Sequence, residues 1–117
     1  MATIDYSREV KKDIIIEVVH LSRATKENAE AFKKILLADI EKGNNKIIVD
    51  LSECMFMDST FLSSLVIALK SLSKVNGSIK LIAIHQDTLA ILDLTGMVKV
   101  FDVYKSKKEA LTSFNTK

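Results

Sequence analysis

The chain has 117 residues, 48% apolar and 27% charged, which is an ordinary soluble globular composition and enough material for one domain spanning residues 1–117. Seventeen basic residues against fifteen acidic ones leave a net charge of +2, and the scattered lysines form neither the basic stripe nor the interleaved aromatics of a nucleic-acid binder. The lone cysteine, Cys54, allows no internal disulfide and suggests a reducing compartment, and with only two histidines beside it no standard metal cage is expected.

In chain order, Met1 to Glu9 mixes acidic and polar residues where a signal peptide needs an apolar stretch, so a cytoplasmic protein is expected. Val10 to Leu21 reads as a strand centred on Ile14-Ile15-Ile16-Glu17-Val18-Val19, with a shorter partner before it. A helix follows from about Thr25, with Ala29, Phe32, Ile35, Leu36 and Ile40 at helical spacing. Gly43 stands where a left-handed cap ends that helix. Lys46 to Leu51, with its continuous apolar stretch Ile47-Ile48-Val49, is expected as the central strand. A second helix begins near Ser59 with Leu62, Leu65, Val66, Leu69 and Leu72 on one face, and Asn76-Gly77 closes it. Its apolar run Leu65 to Leu69 falls far short of the roughly 20 residues of a membrane span, so no membrane partner is expected. Ile79 to Ile84 is a third strand, and Thr88 to Leu94 a short helix stopped by Thr95-Gly96. Val98 to Phe101 reads as an edge strand, and Ser106 opens a last helix that buries Leu111 and Phe114. Each glycine follows a helical pattern, and the three lie too far apart to build a phosphate loop or dinucleotide fingerprint. The alternation predicts an α/β fold.

The stretch that could carry chemistry is Phe56-Met57-Asp58-Ser59-Thr60-Phe61-Leu62-Ser63-Ser64-Leu65, between a strand and the start of a helix. Asp58 or Ser59 there has a plain structural use as an N-cap. A catalytic serine would require a histidine base and an oxyanion hole. His20 and His85 sit at loop or strand-end positions, and no nucleophile elbow surrounds Ser59. No catalytic residue, metal ligand or cofactor is therefore assigned, and the chain is not expected to be an enzyme.

Asp58-Ser59-Thr60 followed by Leu62 resembles the Asp-Ser-Ser/Thr-Gly-Leu-Gly signature of anti-sigma factor antagonists, the small bacterial STAS domains. Ile47 to Ser52 is similar to the strand leading into that signature. Leu92-Asp93-Leu94-Thr95-Gly96-Met97 is similar to the family's Leu-Phe-Asp-Met-Ser-Gly-Leu segment, and Val100-Phe101 to the strand after it. The resemblance implies a single STAS-like α/β domain, with a mixed four- to five-stranded sheet and about four helices. It further implies phosphorylation on Ser59 by a partner, a serine kinase of histidine-kinase-like fold that is itself the anti-sigma factor. The unphosphorylated protein would bind that partner and free a sigma factor or other client, and a serine phosphatase would reset it. The alternative is a constitutive STAS subunit of a lipid-transport or stress-signalling complex, without phosphorylation. A small enzyme or nucleotide-binding protein is a third reading, disfavoured because no phosphate loop exists.

Phe61 and Ser63 replace the signature's two glycines, and Thr25 stands where the family often opens its first helix with an acid. A helical projection of the second helix leaves Thr60, Ser63, Ser64, Ile67, Ser71 and Lys74 outward, with Phe61 on the flank. Short hydroxyls around an apolar centre resemble an interface core more than a solvated face. Together with Asp58, the residues Thr60, Phe61, Ser63, Ser64 and Ile67 are the expected partner-binding set.

Overall fold

A β-branched run is stable where both its faces are covered, and β2 (Ile14–Val19) is buried at all six positions. In a computed structural model that describes residues 4–115, β1 (Tyr6–Lys11) pairs antiparallel with it, Tyr6 opposite Val19 and Lys11 opposite Ile14. The turn between them takes only Lys12 and Asp13, with Lys12 at φ 57°. After a two-residue β3 (Arg23–Ala24), α1 (Lys26–Glu41) starts on a capping box made by Thr25 and Asn28. Next come β4 (Lys46–Asp50) and a two-residue β5 (Phe56–Met57), then α2 (Ser59–Ser73). The chain continues through β6 (Ser78–Ile82) and α3 (Gln86–Leu94) to β7 (Asp102–Tyr104) and α4 (Lys107–Phe114).

The main sheet runs β1-β2-β4-β6-β7, with β4 in the middle and every pairing parallel except β1 with β2. This is the expected mixed sheet with four helices; Met1 to Thr3 and the last two residues of the expected 1–117 domain lie outside the described residues. One core gathers Ile47, Val49 and Leu81 of the sheet with Phe32 and Leu36 of α1, Leu65 and Leu72 of α2, and Leu92 of α3. The opposite face, with Ile14, Ile16, Val18, Ile48 and Ile82, packs against α4 through Ala110, Leu111 and Phe114. Parallel strands need covered faces, and the helices supply that cover.

One expectation is corrected. Val98 to Phe101 is not a strand: Met97–Lys99 is a 3-10 turn and the Phe101 N–H donates to the Met97 carbonyl at 2.8 Å. Helical spacing puts Met97 and Phe101 inward while Val98 and Val100 stay exposed, and the edge strand begins only at Asp102. Asn76-Gly77 closes α2 as expected, with Asn76 in the left-handed conformation at φ 57°. Gly77 is needed for space, because a Cβ there would lie 2.7 Å from both the Asn45 carbonyl oxygen and Leu72 Cδ2.

Buried charge is concentrated where β1, β2 and α1 meet. Arg8 Nη2 lies 2.8 Å from Asp39 Oδ1, and its Nε 3.7 Å from Glu17 Oε2. Both carboxyl groups are almost wholly buried, and among the described residues Asp39 Oδ2 receives no hydrogen bond from an amide, hydroxyl or cation. Desolvation, together with a hydrogen bond and repulsion from Asp39, pushes the Glu17 carboxyl up to about 8.

Candidate functional site

β5 ends at Met57, and the next residue is fixed from two sides. The Asp58 N–H donates to the Ala24 carbonyl at 3.1 Å, extending the short β3–β5 ladder into the start of α2. Its Oδ1 accepts the Phe61 N–H at 2.9 Å, the N-cap bond of α2. Its Oδ2 accepts the Lys26 N–H at 2.9 Å, at the first residue of α1. One carboxylate therefore caps both helices, and both helix dipoles favour its charge. Of the two residues expected to cap, Asp58 is the N-cap and Ser59 the first helical residue; the second cap was hidden from the sequence because Lys26 is 32 residues away. Arg23, Thr25, Lys26, Glu27 and Asn28 line an open depression with Asp58, and the Arg23 guanidinium stacks 4.4 Å above the Phe56 ring.

Ser59 is the first residue of α2 and is exposed. Its carbonyl accepts the Ser63 hydroxyl at 2.9 Å, one turn on. Thr60, Ser63 and Ile67 are exposed on the same helix, and Met55 in the preceding loop is 56% exposed. Asp58, Ser59, Thr60, Ser63 and Ile67 thus share one accessible stretch that couples a carboxylate and hydroxyls to apolar surface.

Two members of the expected partner-binding set are not on that surface. Phe61 is fully buried: its ring stacks on Phe32 at a centroid distance of 5.3 Å, and Phe32 stacks on Tyr6 at 5.0 Å. Ser64 is buried, its hydroxyl donating to the Ala29 carbonyl of α1 at 3.0 Å. The projection from leucines alone placed the buried arc about one residue off. α2 packs closely on α1 as well as on the sheet, so Phe61, Ser64 and Ala68 turn inward while Val66 and Leu69 are only partly buried. A side-chain hydroxyl that satisfies a buried carbonyl across a helix pair costs little to bury.

His20 bonds to Ser7 and Glu53 rather than to Ser59, and His85 precedes α3 without capping it through its side chain. Cys54 is buried, its thiol donating to the Phe56 carbonyl, and burial pushes that thiol up. Among the described residues no cluster of three His, Cys, Asp or Glu could hold a metal, and no helix is long and apolar enough to cross a membrane.

Comparison with known proteins adds a second line of observation. The STAS domain profile matches residues 9–110. A Thermotoga neapolitana protein assigned as an anti-sigma factor antagonist, the TM1081 homolog, is 35% identical over 86 residues, covering 73% of this chain and 76% of that one. The crystal structure of Thermotoga maritima TM1081, of the same assignment, superposes with a TM-score of 0.86 at 27% identity, covering 95% of each chain. The Bacillus cell-fate determinant SpoIIAA, solved in its phosphorylated form, shares the fold with a TM-score of 0.72 at 16% identity, over 93% of this chain and 98% of that one.

Proposed function

The chain belongs to the STAS-domain family of anti-sigma factor antagonists, and from that premise we propose that it is the phosphorylatable ligand in a partner-switching circuit. In this reading the unphosphorylated protein binds a serine-kinase anti-sigma factor through Asp58, Ser59, Thr60, Ser63 and Ile67. Phosphorylation of Ser59 releases it, and a serine phosphatase restores binding. Catalysis belongs to the partners, and Ser59 is a substrate position.

The observation that carries the proposal is Ser59's placement, exposed at a helix start beside a carboxylate whose two oxygens already hold backbone N–H groups. A phosphoryl group there adds about −1.5 to −2 charge. The helix N-terminus favours that anion by roughly 0.3–1 kcal/mol, offsetting part of its repulsion from Asp58. With both caps made by Asp58, the fold does not depend on the Ser59 hydroxyl and survives the modification. A docked partner would instead have to desolvate the new dianion, and an uncompensated buried charge costs several kcal/mol.

Incubation with the cognate kinase and ATP, followed by intact mass measurement, should show one phosphate on wild type and none on Ser59→Ala. Calorimetric titration should show Ser59→Asp binding the kinase at least tenfold more weakly, with an unchanged melting temperature. Equal affinity for wild type, Ser59→Asp and phosphorylated protein would reject the switch in favour of a permanent STAS subunit.

A further inference from the structure

Three polar side chains, from β1, the end of β2 and the turn after β4, form a hydrogen-bonded series. Ser7 of β1 places its Oγ 2.7 Å from His20 Nε2, just beyond β2. His20 Nδ1 in turn lies 2.8 Å from Glu53 Oε2, in the turn after β4. The residues are 13 and 33 positions apart, so only the hairpin and the parallel crossover bring them together. The hairpin is pinned at this point, where the His20 N–H donates to the Asp5 carbonyl at 2.7 Å.

The chemistry of the groups fixes the direction of the series. An ionised carboxylate can only accept, so Nδ1 must carry the proton given to Glu53. In a neutral ring that leaves the Nε2 lone pair to accept from the Ser7 hydroxyl. A hydroxyl on a base, with the base oriented by an acid, is the arrangement that activates a nucleophilic serine on unrelated folds. Ser7 is exposed, and the His20 side chain is 30% exposed, so a reagent can reach the oxygen.

We propose that Ser7 is a nucleophilic serine that accepts acyl groups from small activated esters. His20 is its general base and Glu53 positions that base. In the step, Ser7 Oγ bonds to the ester carbonyl carbon and the bond from that carbon to the leaving oxygen breaks. The hydroxyl proton passes to His20 Nε2 and from there to the departing oxygen, giving acyl-Ser7 and free alcohol or phenol. Ser7 stands on an open surface, so the base supplies the acceleration and the electrophile must carry its own activation. General-base assistance of this kind contributes about 10²–10⁴-fold.

The test uses the full chain with a fluorophosphonate probe and, separately, p-nitrophenyl acetate, the adducts being located by peptide mass mapping. The expected result is one adduct at Ser7, absent in Ser7→Ala. Its rate should fall at least tenfold in His20→Gln and in Glu53→Gln, and Glu53→Asp should recover part of it. Melting temperatures of all variants should match wild type, which separates positioning from folding. An adduct yield at Ser7 no greater than in heat-unfolded protein would overturn the proposal, as would equal labelling of wild type and His20→Gln.

Discussion

Replacing Glu17 with glutamine should remove a stability loss that wild type suffers between pH 4.5 and about 8. Glu17 on β2 faces Arg8 of β1 and Asp39 of α1, and Lys42, just past the end of α1, lines the cleft beside them. One guanidinium meets two buried carboxyls, and among the described residues Asp39 Oδ2 receives no other hydrogen bond, so a proton kept on Glu17 supplies the missing donor. The unfolded chain releases that proton near 4.5, whereas the folded chain keeps it to about 8. Between those values the folded state holds a proton the unfolded state lacks, so stability falls as pH rises and levels off above the window. At 1.36 kcal/mol per pH unit the full interval corresponds to about 5 kcal/mol. Arg8 is 40% exposed and can turn toward a second ionised carboxylate, which brings the expected loss to about 2–4 kcal/mol. Glutamine keeps a donor for Asp39 without titrating. Urea unfolding of both proteins across the window checks this, with the difference between the two curves isolating Glu17. Parallel curves for wild type and Glu17→Gln would refute the shared proton.

Three further outcomes follow from the packing. Asp58→Ala removes the carboxylate cap of α2 and the bond to Lys26 of α1, and should cost about 1–3 kcal/mol in urea unfolding, with Asp58→Asn retaining part. Phe61→Ala opens the stack of Tyr6, Phe32 and Phe61 and should lower stability by about 3–5 kcal/mol; an unchanged melting curve with weakened partner binding would instead place the ring on the docking surface. Gly77→Ala forces a methyl group against the Asn45 backbone and should destabilise by roughly 1–3 kcal/mol in the same assay, although the φ of Gly77 is not left-handed.

Local pattern was enough to read much of this chain. Period and β-branching located β2, β4 and β6, which are shielded on both faces and so spell runs dominated by Ile, Val and Leu. The helix starts near Thr25, Asp58-Ser59 and Ser106 were legible for the same reason: an N-cap bond closes within three residues, so its chemistry is written locally. The short ladder β3–β5 was not legible, because two residues carry no period and the pairing joins Arg23 to the distant Phe56. The inward turn of Phe61 and Ser64 required the position of α1, since a helix packed on two neighbours buries a wider arc than its leucines mark.

The candidate site divides along the same line. The sequence alone determined that Asp58 and Ser59 open a helix, because a strand, a small polar pair and an amphipathic run follow one another directly. Only the tertiary structure decided that Asp58 also caps α1, that Phe61 belongs to the core, and that Ser7, His20 and Glu53 meet. Each of those facts joins side chains or backbone groups from different elements. Such contacts depend on how helices and strands are stacked, and the spacing of residues along the chain does not encode that.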